Sequence, residues 1–95
     1  MKKAYILSIY RSAPEADKLA AYAPVALAAI EGAGGRFIVR GTPLKIFENG
    51  LIERSIVIEF DSAEAAVAAY ESSEYQAAFA LLGDVDRDVR IVEGA

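Results

Sequence analysis

Three charged side chains, Arg36, Arg40 and Glu59, with Arg54 as an addition, form the constellation in this chain best suited to chemistry. A guanidinium can hold a carboxylate or an enolate through paired, charge-assisted hydrogen bonds, while a carboxylate beside it abstracts a proton. In that functional reading Glu59 is the base, and Arg36 and Arg40 stabilise the anion. Counting back from Asn49-Gly50 through an unbulged hairpin sets Arg40 directly opposite Glu59. A bulge at Gly41–Pro43 would shift the register by one and send the two to opposite faces. The structural reading of the same residues is a cross-strand ion pair or a rim contact, which stabilises a sheet modestly. Tyr22 and Tyr70, one on each predicted helix, form a second group. Their hydroxyls can orient a small molecule in a cleft over the sheet. Alternatively they are large core residues whose hydroxyls find a backbone partner.

Missing residue types narrow the chemistry further. The chain has no histidine and no cysteine. Histidine bases, imidazole or thiolate metal ligands, cysteine nucleophiles and disulfides are therefore excluded. Asp84, Asp86 and Asp88 imitate the start of a calcium loop, but Val89 follows and Ala95 stands where the closing acid belongs. Gly32, Gly34 and Gly35 close a helix and lead into a strand, the reverse of a dinucleotide fingerprint. Gly35-Arg36-Phe37-Ile38-Val39 holds only fragments of an RNA-binding strand, without interleaved stacking aromatics. A formal net charge of −4 argues against nucleic acid and anionic membranes as partners. The expectation is no metal, no cofactor, no nucleic acid and no membrane, with a cytoplasmic home permitted by the absence of cysteine.

Six elements position these groups. Ala4–Tyr10 reads as a first strand, rich in aromatic, β-branched and leucine residues. Ser12 to Glu15 opens a helix whose apolar face is Leu19, Ala23, Leu27 and Ile30, with Pro24 expected to kink or divide it. Arg36–Arg40 is a second strand. Leu44–Glu48 and Leu51–Phe60 flank Asn49-Gly50, the strongest local hairpin signal in the chain. Asp61 with Glu64, and Ser73 with Gln76, have the spacing of two helix caps, with Ala63, Ala66, Val67 and Tyr70 on the first face and Tyr75, Ala78, Phe79 and Leu82 on the next. Gly83 ends the second helix. Asp84–Arg87 is a loop and Asp88–Glu93 a last strand. The order is β-α-β-β-α-β in one α+β domain spanning all 95 residues.

Alternation divides each strand into two faces. One is almost wholly apolar: Tyr5, Leu7, Ile9, then Phe37, Val39, then Ile56, Ile58, Phe60, then Val89, Ile91. It is expected beneath the helices. The other mixes polar edges with an apolar middle of Ile6, Ile38, Val57 and Val92. A face meant for water would not gather those four, so a second copy of the chain is the predicted cover.

The chain resembles the family called domain of unknown function 1330, of the ferredoxin-like dimeric α-β barrel superfamily. Tyr22 and Pro24 carry the likeness, with Gly34-Gly35-Arg36-Phe37, Arg40-Gly41, Ile56–Phe60, Tyr70, Ser72, Glu74-Tyr75-Gln76 and Ile91–Gly94. It departs at Thr42, Ala69 and Ser73. The resemblance implies a four-stranded antiparallel sheet with helices on one face, and a homodimer whose sheets form a barrel. It implies no activity. Three functional expectations follow: a dimer binding a small anionic or carbonyl-containing molecule, a cofactor-independent isomerase or monooxygenase with Glu59 as base, or a dimer without a ligand.

Overall fold

β1 (Ala4–Tyr10) is the second-from-edge strand around which the rest of the computed structural model is arranged; the structure describes residues 2–95. It pairs antiparallel with β3 (Ser55–Phe60) on one side and β4 (Arg87–Glu93) on the other. β2 (Arg36–Gly41) adds antiparallel to β3, so the sheet order is β2-β3-β1-β4. α1 (Ala16–Gly32) follows β1, while α2 (Ala63–Glu71) and α3 (Ser73–Leu82) follow β3. This is the β-α-β-β-α-β order read from the sequence, with the second helix in two pieces.

All three helices bury residues against one face of the sheet. Tyr22, Ala26 and Ile30 of α1, Ala66 and Ala69 of α2, and Tyr75, Ala78 and Leu82 of α3 form one core cluster with β1 and β3. From β1 that core takes Ala4, Ile6, Ser8 and Tyr10, and from β3 Ile56, Ile58 and Phe60. The expected face of β1, Tyr5, Leu7 and Ile9, is thereby corrected: it is the opposite one. Cross-strand partners share a face, and Ala4 sits opposite Phe60, Ile6 opposite Ile58 and Ser8 opposite Ile56. Both faces of β1 are apolar, so hydrophobicity could not choose between them. The small side chains of Ala4 and Ser8 lie under the helices, while larger ones occupy the outer face.

Local signals place the starts of α2 and α3 to within a residue, while α1 begins at Ala16, beyond the Ser12–Glu15 cluster expected to open it. Ser62, not Asp61, caps α2, its hydroxyl accepting from the Ala65 N–H at 3.1 Å. Ser72, not Ser73, joins the two helices: it donates to the Ala69 carbonyl at 2.7 Å and accepts from the Tyr75 N–H at 3.1 Å. Gly83 ends α3 with φ of 76°, a conformation that suits glycine. α1 runs undivided through Pro24. The carbonyl freed by the missing N–H belongs to Ala20, an exposed residue that water can reach.

The hairpin expectation is corrected too. β2 stops at Gly41 and β3 starts at Ser55. Between them residues 42–54 form an arm in which Gly50 N–H donates to the Phe47 carbonyl at 3.0 Å. The turn spans Phe47–Gly50 with Glu48 and Asn49 at its centre, Glu48 at φ 53°, and it has no paired strands beside it. A two-stranded ribbon standing clear of any core is marginal in water.

Gly35 marks the tightest approach of helix end to sheet. A methyl group there would come within 2.6 Å of Ile30 Cγ2 and 2.7 Å of Phe60 Cζ. Gly35→Ala is expected to destabilise the fold by about 1–3 kcal/mol through overpacking, read by urea denaturation. An unchanged midpoint would show that the core can yield there.

Candidate functional site

The Ile38 bulge sorts the charged residues. Arg36 lies opposite Glu59 and Phe37 opposite Ile58, then the register shifts so that Val39 meets Val57 and Arg40 meets Ile56. Ile38 is the extra residue. Arg40 consequently shares the helix-side face with Phe37, while Arg36 stays on the outer face. Arg40 is therefore not opposite Glu59, and the bulge lies three residues before Gly41 rather than at Gly41–Pro43.

On the outer face Glu59 is fully engaged. Arg36 Nε donates to Glu59 Oε1 at 3.0 Å and Tyr5 Oη donates to Glu59 Oε2 at 3.1 Å. Arg36 Nη2 also reaches Asp61 Oδ1 at 3.1 Å, and Lys3 Nζ reaches the same oxygen at 3.3 Å. The hydrogen bond from Arg36 holds the Glu59 carboxyl below its ordinary pKa, and Tyr5 adds to that effect. A carboxylate with both oxygens occupied and a depressed pKa is a weak base.

On the helix side a cleft opens between helices and sheet. Tyr22, Ala23 and Ala26 of α1, Tyr70 of α2 and Tyr75 of α3 line it above. Ser8, Arg40, Arg54, Ile56 and Arg87 line it from the sheet and the arm. Tyr22 and Tyr75 share a 2.8 Å hydrogen bond between hydroxyls, their rings set edge to face at 6.3 Å. Arg87 donates from Nη2 to Tyr75 Oη at 3.2 Å and from Nη1 to Ser8 Oγ at 3.3 Å. Its guanidinium also lies 4.7 Å from the Phe79 ring centroid and 5.6 Å from that of Tyr10. Arg40 stacks 5.2 Å from the Phe37 ring.

Burial raises the Tyr22 phenol well above its ordinary pKa. It stays protonated at neutrality and serves as a donor. A guanidinium accepts nothing, so Tyr75 takes the Arg87 hydrogen bond and can pass its own O–H to Tyr22. Tyr22 then keeps an O–H for a ligand. Two buried polar atoms among the described residues lack partners, Tyr10 Oη and Arg54 Nε.

Of the sequence-predicted site residues, Tyr22, Arg40 and Tyr70 come together here with Arg54. Arg36 and Glu59 lie on the other side of the sheet. Sequence reasoning missed Arg87 and Ser8 as site residues and treated Tyr75 as core only. Arg87 was assigned to a loop, yet it shares parity with Val89 and Ile91, which pack on the core. That parity was the available signal. The three aspartates after Gly83 do not converge as an ion loop: Asp86 pairs with Arg11 at 3.4 Å, and both oxygens of Asp88 accept from Arg90.

Residues 3–95 match the model of the family described as domain of unknown function (DUF1330). The chain belongs to that family. No curated protein matches this DUF1330 chain. Its fold is similar to that of a protein of unknown function from Rhodopseudomonas palustris, with TM-score 0.75 and 18% identity over 99% of this chain and 83% of that one. It also resembles a dimeric ferredoxin-like protein of unknown function from Thermobifida fusca, with TM-score 0.57 and 14% identity over 98% and 92% of the two chains. A candidate antibiotic biosynthesis monooxygenase from Caulobacter crescentus gives TM-score 0.60 and 13% identity over 99% and 90%. At such identities the likeness is one of fold, and the fold of this DUF1330 chain is ferredoxin-like. No helix among the described residues is long and apolar enough to cross a membrane.

The outer-face pair has a pH signature. Arg36 depresses the pKa of both Glu59 and Asp61 in the folded chain. Their stabilisation is therefore complete above the ordinary values of 4.5 and 3.8 and fades as pH falls past them. Arg36→Gln is expected to lower the neutral plateau modestly and leave the low-pH end unchanged, so that the acid limb flattens, read from unfolding midpoints across pH. Identical acid limbs would remove Arg36 as the cause.

Proposed function

We propose that this DUF1330 protein is a homodimer that binds a small anionic or carbonyl-containing molecule in the cleft between helices and sheet of each subunit. The carrying observation is the charge of that cleft. Arg40, Arg54 and Arg87 line it, phenols surround them, and no acidic residue is among its lining. In a chain of net charge −4 such a local excess of cations is an anion-attracting field inside a low-dielectric wall. Tyr22, Arg40 and Tyr70 orient the ligand. The binding reading is preferred to the isomerase or monooxygenase one because Glu59, the proposed base, is ion-paired on the far side of the sheet. A cytoplasmic home agrees with a chain that has no cysteine.

The homodimer rests on two surfaces. On the outer sheet face Ile9, Val39 and Val92 are exposed, with Leu7 and Val57 half-buried between them. The arm adds Leu44, Phe47 and Ile52, exposed to 103%, 73% and 67%. Apolar surface gathered in this way marks an interface, and the dimeric description of the Thermobifida fusca neighbour agrees. Arg36 and Glu59 would then lie at the polar rim of a sheet-to-sheet contact.

Light scattering after gel filtration is expected to give the dimer mass, and Val39→Glu to shift it toward the monomer. A wild-type monomer at micromolar concentration would remove the dimer. For the ligand, a thermal-shift panel of small carboxylates, keto acids and neutral carbonyl compounds is expected to raise the unfolding midpoint with at least one class. Arg40→Gln and Tyr22→Phe should each diminish that rise. A panel in which nothing stabilises the protein would favour the ligand-free dimer.

A further inference from the structure

The arginines of this chain sort themselves by location. Three of the six, Arg11, Arg36 and Arg90, pair with Asp86, with Glu59 and Asp61, and with Asp88 at the surface. The other three, Arg40, Arg54 and Arg87, make no ion pair among the described residues, and all three line the cleft. With fourteen acids in the chain, this separation leaves the cleft guanidiniums without a carboxylate of their own. Resting on the ligand-binding reading above, we propose that the missing carboxylate belongs to the ligand. The cleft is a monocarboxylate site in which Arg87 grips the acid group and the ligand's apolar body lies against α1.

Arg87 is prepared for that task. Ser8, which is 6% exposed, and Tyr75 each fix one terminal nitrogen, and the Phe79 ring supports the plane. A guanidinium has five N–H donors, so those two bonds leave others to present. Arg54 adds a buried Nε–H that has no acceptor in the chain. A buried donor left unmatched is costly, and a ligand oxygen would satisfy it. Tyr22 supplies a further O–H.

Size and lining select the class of anion. The cleft offers about 40 Å³, room for roughly three water-sized groups, so the carbon and two oxygens of a carboxylate fill it and a hydrocarbon body lies in its open mouth. Leu19, Ala23, Ala26, Ile30, Ile56 and Ile58 make the remaining wall aliphatic. Inorganic phosphate would set an oxygen against that wall. A short hydrocarbon chain carrying one carboxylate meets both demands.

The test is an NMR titration of the isotope-labelled protein with butanoate, its neutral isostere butanamide, and inorganic phosphate. Butanoate is expected to shift the Arg87 and Arg54 Nε–H signals and the Ser8 amide, and to bind at least about tenfold more tightly than butanamide. Arg87→Gln should lose at least about tenfold in butanoate affinity, and Arg87→Lys should recover only part of it. Should Arg87→Gln fail to fold, Arg40→Gln, at an exposed position, must weaken butanoate several-fold without altering the ligand-free unfolding midpoint. Equal binding of butanamide, with Tyr22→Phe reducing both, would overturn the carboxylate site and leave the broader ligand reading standing. Tighter binding of phosphate, or full butanoate affinity in a folded Arg87→Gln, would likewise overturn it. Absence of any binding would overturn the monocarboxylate site, and the broader reading would then stand or fall with the thermal-shift panel.

Discussion

β2 carries one more residue than β3 has partners for: Phe37 faces Ile58, Val39 faces Val57, and Ile38 is left between them. A single inserted residue reverses the parity of everything after it. Before the bulge, Arg36 stands on the outer face and meets Glu59. After it, Arg40 turns under the helices and joins Arg54 and Arg87. Without the insertion Arg40 would share the outer face with Arg36 and Glu59. The cleft would then lose one of its three cations, and the outer cluster would gain an arginine. That one backbone irregularity moves Arg40 from the outer cluster to a cleft that Arg54 and Arg87 already line.

Arg54 and Arg87 are half-buried without an ion pair, which requires compensation because desolvation disfavours charge, while Arg40 is exposed. The compensation here is soft rather than ionic. Arg87 is held by two hydroxyls and two aromatic faces, and Arg40 lies over Phe37. These partners satisfy geometry while leaving the positive charge uncancelled. A carboxylate in place of Tyr75 or Ser8 would neutralise the cleft and remove its attraction for an anion. Tyr22, protonated because it is buried, adds a neutral donor to the same space. In the aromatic stripe of Tyr70, Tyr75 and Phe79, with ring centroids 5.0 and 6.3 Å apart along it, the two tyrosines pack on the core and also line the cleft.

The outer face and the arm belong to a second balance. A chain of 95 residues buries a modest share of its surface, and this one spends its helices on one side of the sheet. The other side keeps Ile9, Val39 and Val92 in contact with water, framed by the Arg36, Glu59 and Asp61 network. The arm lifts Leu44 and Phe47 fully clear of the core. Arg54 connects these regions: it ends the arm, yet its guanidinium lines the cleft and its carbonyl accepts from Tyr10 N–H at 2.9 Å. Any contact that moves the arm therefore acts directly on a wall of the cleft.

By itself the sequence determined the element order, the glycine that stops α3 and the absence of histidine and cysteine chemistry, whereas of the outer apolar patch it placed Val57 and Val92 correctly but exchanged Ile6 with Ile9 and Val39. Those properties are written in composition and in short-range spacing, where one residue's neighbours decide its role. Its cap positions were legible to one residue, because Asp61 and Ser62, or Ser72 and Ser73, are equally good acceptors until the helix axis is laid down. Tertiary structure alone decided which face of β1 lies under the helices, since Tyr5, Leu7 and Ile9 are as apolar as Ala4, Ile6 and Tyr10, and only the pairing with β3 distinguishes them. It also decided that Asn49-Gly50 lies in an unpaired arm whose turn is centred on Glu48-Asn49, because strand pairing needs a surface to pack on and not only a turn. The convergence of Arg40, Arg54 and Arg87 was decided there as well: these residues lie on three different segments, and a bulge invisible to hydrophobic alternation brings the first of them to the same face as the last.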